Sequence, residues 1–196
     1  MSKSKVPIRK LTAKKGIPVH ADQEKFFELV VLLARRSEGD PLFGGIKLNK
    51  LLFYADFLAY LTLGKAISGE EYFALENGPA PRHKKYLWEQ MVKRGDIVVR
   101  HEHTVFDNKR EVTLARRDPD IKKFSREELD LIYRVLENFR GQTGTDLSAF
   151  SHEFPGWRLA KEKETIPYTT VLVGDRKPTP HEIKRGLEIE QSLAHA

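Results

Sequence analysis

The side chains able to do chemistry here are histidines, serines and carboxylates. The 196 residues include seven histidines and no cysteine. Disulfides, thiolate nucleophiles and cysteine metal sites are therefore excluded. His101 and His103 flank Glu102 in a segment with strand character, so both point to one face and could share a metal ion. No third ligand is evident nearby. Ser148, Ser151 and His152 offer a second candidate. A nucleophilic site would need one serine as attacking group, His152 as base and an acid to orient it. Adjacent residues on one short helix seldom aim all three groups at one point, and the segment lacks a glycine-rich nucleophile elbow. The stronger reading is that His152 and Trp157 pack and hydrogen-bond to fix a corner against a central helix.

Gly78-Pro79 is a third place to look, as a phosphate loop. The chain has neither a Walker-type Gly-Lys-Ser/Thr loop nor a dinucleotide-binding glycine pattern. A glycine before a proline sets a sharp turn instead. The acid pairs Glu70-Glu71 and Glu127-Glu128 sit at a loop and a helix start, where they complement the helix dipole. No catalytic set, cofactor site or metal site emerges, and the chain reads as a non-enzyme.

The elements that must hold these residues follow from periodicity. Asp22 caps a helix running to about Arg36, with Phe26, Leu29, Val30 and Leu33 as its apolar stripe. A helix from about Lys47 to Thr62 carries Leu48, Leu51, Leu52, Ala55, Leu58 and Ala59 at helical spacing, and Phe53, Tyr54, Phe57 and Leu61 fill much of its remaining circumference. Apolar nearly all round, it reads as the wrapped central helix of a domain, stopped by Gly64. Lys47, Asn49, Lys50 and Asp56 interrupt it, so it is no membrane span. Tyr72 to Leu75 reads as a short strand. Pro81 to Arg94 reads as a helix burying Tyr86, Leu87, Met91 and Trp88. Asp96 to Arg100 and Arg110 to Leu114 flank Asp107-Asn108 as a β-hairpin. Ser125 and Glu128 form a capping box for a helix to Arg140 with the stripe Leu129, Ile132, Val135, Leu136 and Phe139. Thr145 caps a short helix to about Ser151, and another starts near Pro155. Thr165 to Val173 reads as a strand or extended arm, and Thr179 to Glu182 opens a terminal helix. The fold class is α+β, mainly α, built around a buried central helix with a small hairpin.

The formal charge of +6 sits on residues 1–20, which hold six basic residues and no acid; the remainder has equal numbers of basic and acidic residues. This arm reads as a flexible, solvated tail, with contact to DNA or an acidic protein surface as the alternative. Residues 21–163 form the body and 164–196 a C-terminal extension of strand and helix. The N-terminus lacks the apolar region of a signal peptide, which points to the cytoplasm. The helix before the hairpin, with Arg82, Lys84, Lys85, Lys93 and Arg94, and the hairpin's Lys109, Arg110, Arg116 and Arg117 resemble the recognition helix and wing of winged-helix proteins. DNA binding, including autoregulation, is the alternative function.

Two blocks carry a more specific resemblance. KLNKLLFYAD, the closing Gly64 and ALENGPAPRH make the first; LSAFSHEFPGW, from Leu147 to Trp157, makes the second. In order and spacing they resemble the Panacea domain, the SocA-type antitoxin domain, over roughly Lys25 to Lys161. Many relatives place a proline directly before the tryptophan, whereas here Gly156 intervenes. The resemblance implies a prokaryotic or phage antitoxin that neutralises a protein toxin encoded beside it by direct binding. It implies structural roles for Lys47, Leu48, Lys50, Leu51, Leu52, Tyr54, Ala55, Gly64, Gly78, Pro79, His152 and Trp157. Aromatic residues beyond the core stripes, Tyr60, Trp88, Phe106, Phe150 and Tyr168, are the candidate contacts to a partner.

Overall fold

The computed structural model describes residues 21–103, 109–173 and 179–181, together with Lys184 and Glu188. Helix α1 (Gln23–Arg36) starts where Asp22 accepts from the Lys25 amide. Helix α2 (Gly45–Leu63) ends at Gly64, whose φ of 73° is open to glycine at no steric cost. Strands β1 (Tyr72–Leu75) and β2 (Gly78–Pro81) make one antiparallel hairpin. Helix α3 (Lys84–Arg94) leads into a second, β3 (Ile97–His103) and β4 (Lys109–Ala115). Helices α4 (Arg126–Asn138), α5 (Gly144–His152) and α6 (Pro155–Leu159) follow, then a 3-10 turn at Tyr168–Leu172. The class is mainly helical α+β, with two small hairpins rather than one.

Helix α2 is the axis. It packs against α1, α4, α5, β2, β4 and the Tyr168 turn. Leu48, Leu51, Leu52, Phe53, Ala55, Phe57 and Ala59 are all buried. Leu61, in its last turn, is exposed, and Leu58 is only partly covered. Helix α1 buries more than one stripe: every residue from Phe26 to Ala34 is inside. It is covered by α2 on one side and by β4 on another. Glu28 goes in with it. Arg117 holds that carboxylate with two hydrogen bonds, of 2.7 and 2.8 Å, and the Asp120 amide adds a third at 2.7 Å.

Several local expectations shift. Helix α3 starts at Lys84, because Arg82 still pairs in extended form with the Glu71 carbonyl at 2.7 Å. Leu87, Trp88 and Met91 are buried, but Tyr86 is 60% exposed. Helix α4 keeps its capping box and adds Leu131 to the buried set. Thr143, not Thr145, caps α5: its hydroxyl accepts from the Asp146 amide, and Asp146 accepts from the Thr143 amide at 2.8 Å. Of Thr165 to Val173, only Thr165 bridges to a strand, opposite Phe73; Pro167 then opens the 3-10 turn. Residues 1–20, Phe106 and the Asp107-Asn108 turn lie outside the described residues, as does most of the terminal helix, of which Pro180, His181, Lys184 and Glu188 are helical.

A buried central helix has an energetic signature. Leu52→Ala should cost about 2–5 kcal/mol in urea denaturation, because Leu52 is wholly enclosed. Leu58→Ala should cost clearly less. Equal losses at the two positions would mean that α2 is not enclosed as described.

Candidate functional site

The first block folds into a contact between α2 and the β1–β2 hairpin. Leu75 and Gly78 are Cα partners, so Glu76-Asn77 is the two-residue turn and Gly78-Pro79 lies in the strand, not in the turn expected for it. Antiparallel pairs alternate in their hydrogen bonding. Tyr72 and Ala74 direct their backbone groups away from β2, to Lys163, Glu164 and Ile166 at 2.7–3.0 Å. Their partners, Pro81 and Pro79, therefore stand where an amide would face outward. Proline has no such amide, so no donor is stranded.

The outward carbonyls are met by Lys50. Its Nζ donates to Asn77 O at 2.5 Å and Pro79 O at 3.0 Å, and the residue is only 1% exposed. Burial lowers its pKa from 10.5 to about 7. Lys47, one turn earlier, reaches Asp40 at 2.8 Å and the Gln142 carbonyl at 2.9 Å, tying α2 to the turn before α5. Lys50, a buried cation bound here by no acid, was the sequence signal for such a contact, since it must find carbonyl partners.

Gly78 is the point where hairpin, α2 and α5 meet. Its φ is +85°, and a Cβ there would lie 2.2 Å from Ser151 Oγ and 2.8 Å from Lys50 Nζ. Only glycine fits. Ser151 is fully buried and donates to the Ser148 carbonyl at 2.7 Å. Next to it, the rings of His152 and Trp157 stack at 3.9 Å with planes 14° apart, and the Trp157 indole donates to the Leu75 carbonyl at 3.0 Å. His152 thus faces Trp157, and Ser151 is engaged in its own helix. The structure does not gather Ser148, Ser151 and His152 on one reacting point.

Asp56 is the third buried polar group of α2. Its carboxylate accepts from the Ser68 amide at 2.6 Å, the Ser68 hydroxyl at 2.5 Å and the Tyr72 hydroxyl at 2.8 Å. Burial pushes its pKa up, against these hydrogen bonds. Nearby, Tyr168 donates to Glu70 O at 2.6 Å while its ring stacks on Phe57 at 4.5 Å. Sequence reasoning gave Asp56 and Ser68 no role.

The candidate partner residues divide. Trp88 is buried and its indole donates to the Thr113 hydroxyl at 3.0 Å; Tyr168 is buried as described. Both belong to the core because each ring is enclosed and its polar atom is already bonded. Tyr60 is half-buried against Tyr168, and Phe150 is 54% exposed beside Tyr54 and Phe139. Phe106 is outside the described residues. The basic side chains of the presumed recognition helix and wing are largely paired: Arg82 with Glu71, Lys84 with Glu111, Arg94 with Glu24 and Asp96, Arg110 with Glu102, Arg117 with Glu28 and Asp96. Among the described residues no group of three or more His, Asp or Glu could hold a metal, and no helix is long and apolar enough to cross a membrane.

One open groove, of about 960 Å³, runs between the β1–β2 hairpin, α3 and the face of β3–β4. Phe73, Leu75, Trp88, Val92 and Val99 supply its apolar surface, and Lys84, Lys85 and Lys93 its basic edge.

Residues 48–158 match the family described as antitoxin SocA-like, Panacea domain. The match opens inside α2, just after Lys47, and closes one residue beyond Trp157. No curated protein and no solved structure matches the chain.

Two measurements probe the contacts of this site. Lys50 binds its proton more weakly folded than unfolded, so unfolding between pH 7 and 10.5 takes up a proton. Stability relative to Lys50→Met should therefore rise with pH across that window, by about 1.4 kcal/mol per unit at most. A difference independent of pH would mean that Lys50 keeps its charge in the fold. Separately, His152→Ala and Trp157→Ala should each lower the melting temperature. Their double-mutant cycle should show a coupling of about 0.5–1.5 kcal/mol, as stacked rings give.

Proposed function

The chain belongs to the SocA-like antitoxin family, the Panacea domain, and on that premise we propose that it is an antitoxin which neutralises a toxin encoded beside it by direct protein–protein binding. The family match over residues 48–158 carries the reading. Masking by contact asks a protein for a rigid body and an exposed patch, not for a reacting group. The polar residues of the two blocks fit that demand. Lys47, Lys50, Ser151 and Trp157 each hold a backbone carbonyl, and Gly78 and Pro79 allow the close approach between elements. We assign these residues, with Leu48, Leu51, Leu52, Tyr54, Ala55, Gly64 and His152, to the frame rather than to the partner. Residues 21–163 make up the antitoxin domain in this reading. The following segment is tied to it by Ile166, whose amide donates to the Tyr72 carbonyl at 2.8 Å, and by the buried Tyr168. The setting is the cytoplasm of a prokaryotic or phage-infected cell.

The winged-helix reading gains nothing from the geometry, since five of its nine basic side chains are held by carboxylates within the protein. Co-expression tests the proposal. The product of the adjacent gene should arrest growth when expressed alone, and this chain should restore growth and co-purify with it. A neighbour that is harmless, or that stays toxic when this chain is abundant and folded, would refute the antitoxin reading.

A further inference from the structure

We infer that the groove between the two hairpins and α3 is the surface that seizes the toxin, and that it takes a toxin segment carrying large apolar side chains flanked by carboxylates. The inference rests on the antitoxin reading and adds the place and the chemistry. Every residue that lines the groove lies within the segment matched to the family.

The groove has the parts of an anchor site. Trp88, only 6% exposed, forms part of its floor and is fixed by the bond from its indole to Thr113. Val92, on the α3 side of the groove, leaves 47% of its surface exposed. Fixed aromatic surface beside uncovered aliphatic surface is where an inserted side chain gains most. Asn49 lines the α2 end, and its Oδ1 is buried without a hydrogen-bond partner. A donor from an occupant would satisfy it.

Charge selects the occupant. Lys85 and Lys93 are exposed and have no carboxylate partner among the described residues, unlike most basic groups of this region. Together with Glu89 and Val92 they line one side of the groove along α3. Residues 1–20 of this chain, with six basic residues and no acid, are repelled by such an edge. A carboxylate-bearing segment is attracted. Strand addition at β2 is blocked, because Pro79 and Pro81 offer no amide and the Pro79 carbonyl is held by Lys50. Recognition must then run through inserted side chains and ion pairs.

The test uses the full chain, two variants on exposed positions of α3, Lys85→Glu/Lys93→Glu and Val92→Asp, and Phe150→Ala as a variant of the other exposed aromatic site. Circular dichroism melting should show all three as stable as the parent. The probes are the adjacent gene product and a short synthetic peptide alternating Leu and Glu, with its Leu–Lys counterpart as control. Both α3 variants should bind the gene product roughly ten-fold or more weakly and fail to restore growth, while Phe150→Ala behaves as the parent. The Leu–Glu peptide should bind the parent and not the charge-reversed variant, and the Leu–Lys peptide should not bind the parent. Should the gene product prove harmless while the peptides follow this pattern, the antitoxin reading falls and the groove stands. Neutralisation unaffected by both α3 variants, or peptide binding that is absent or indifferent to charge, would overturn the groove.

Discussion

A helix with almost no solvent-facing side must find partners for its polar atoms inside the protein. That constraint governs most of this structure. Helix α2 carries Lys47, Lys50 and Asp56 into the interior, and each is answered by a different neighbouring segment. Lys47 binds the turn before α5, Lys50 the β1–β2 hairpin, and Asp56 the Ser68 loop and β1. Leaving any one of these groups unpaired would cost about 1–3 kcal/mol, more for a charge. So the polar residues of α2 select which segments may pack on it, while its apolar residues supply the driving force without choosing among partners.

Lys50 shows how far this selection reaches. Its two carbonyl acceptors are that of Asn77, in the turn, and that of Pro79, on the outward edge of β2. The two prolines remove the donors of that edge and the lysine takes up the Pro79 acceptor, so a short strand that would otherwise invite pairing offers little to a further strand. The approach brings Gly78 against Ser151, and the α5–α6 corner follows: Trp157 reaches the Leu75 carbonyl just before the same turn. The two sequence blocks, some seventy residues apart, are thus one contact. In that corner His152 stacks on Trp157.

How much of this could be read from the chain depends on range. Caps and periodic helices were legible because they are local: Asp22, Gly64 and the Ser125–Glu128 box work within four residues. The Thr143–Asp146 box was missed in favour of Thr145, since two threonines compete within one turn and only the three-residue spacing to the acid separates them. The breadth of α1's buried surface was not legible, because β4 covers a side that periodicity assigns to solvent. The burial of Trp88 was expected, but that its indole binds Thr113, and that Tyr168 is buried with its hydroxyl on Glu70, rest on contacts 25 and 98 residues away in sequence. The β2 strand was hidden for a physical reason: two prolines in four residues argue against a strand unless the edge is to be sealed, and the sealing group lies on another helix.

The same accounting of charges separates frame from surface. Basic residues that looked like a phosphate-binding array are drawn into ion pairs within the β3–β4 hairpin and between the β3–β4 region and α1 and α3. Arg117 is the extreme case, its guanidinium shared between two buried carboxylates that hold its pKa above the ordinary value. Once those pairs are set aside, the uncommitted positive charge around the groove is on α3, next to an uncovered valine and a fixed tryptophan. An interior fixed by a few charged contacts can hold the fold while residues on one exposed helix change. If the groove is the recognition surface, substitutions at Lys85, Val92 and Lys93 should alter what is recognised, and those at Lys50, Gly78 or Trp157 whether there is a folded surface to recognise with.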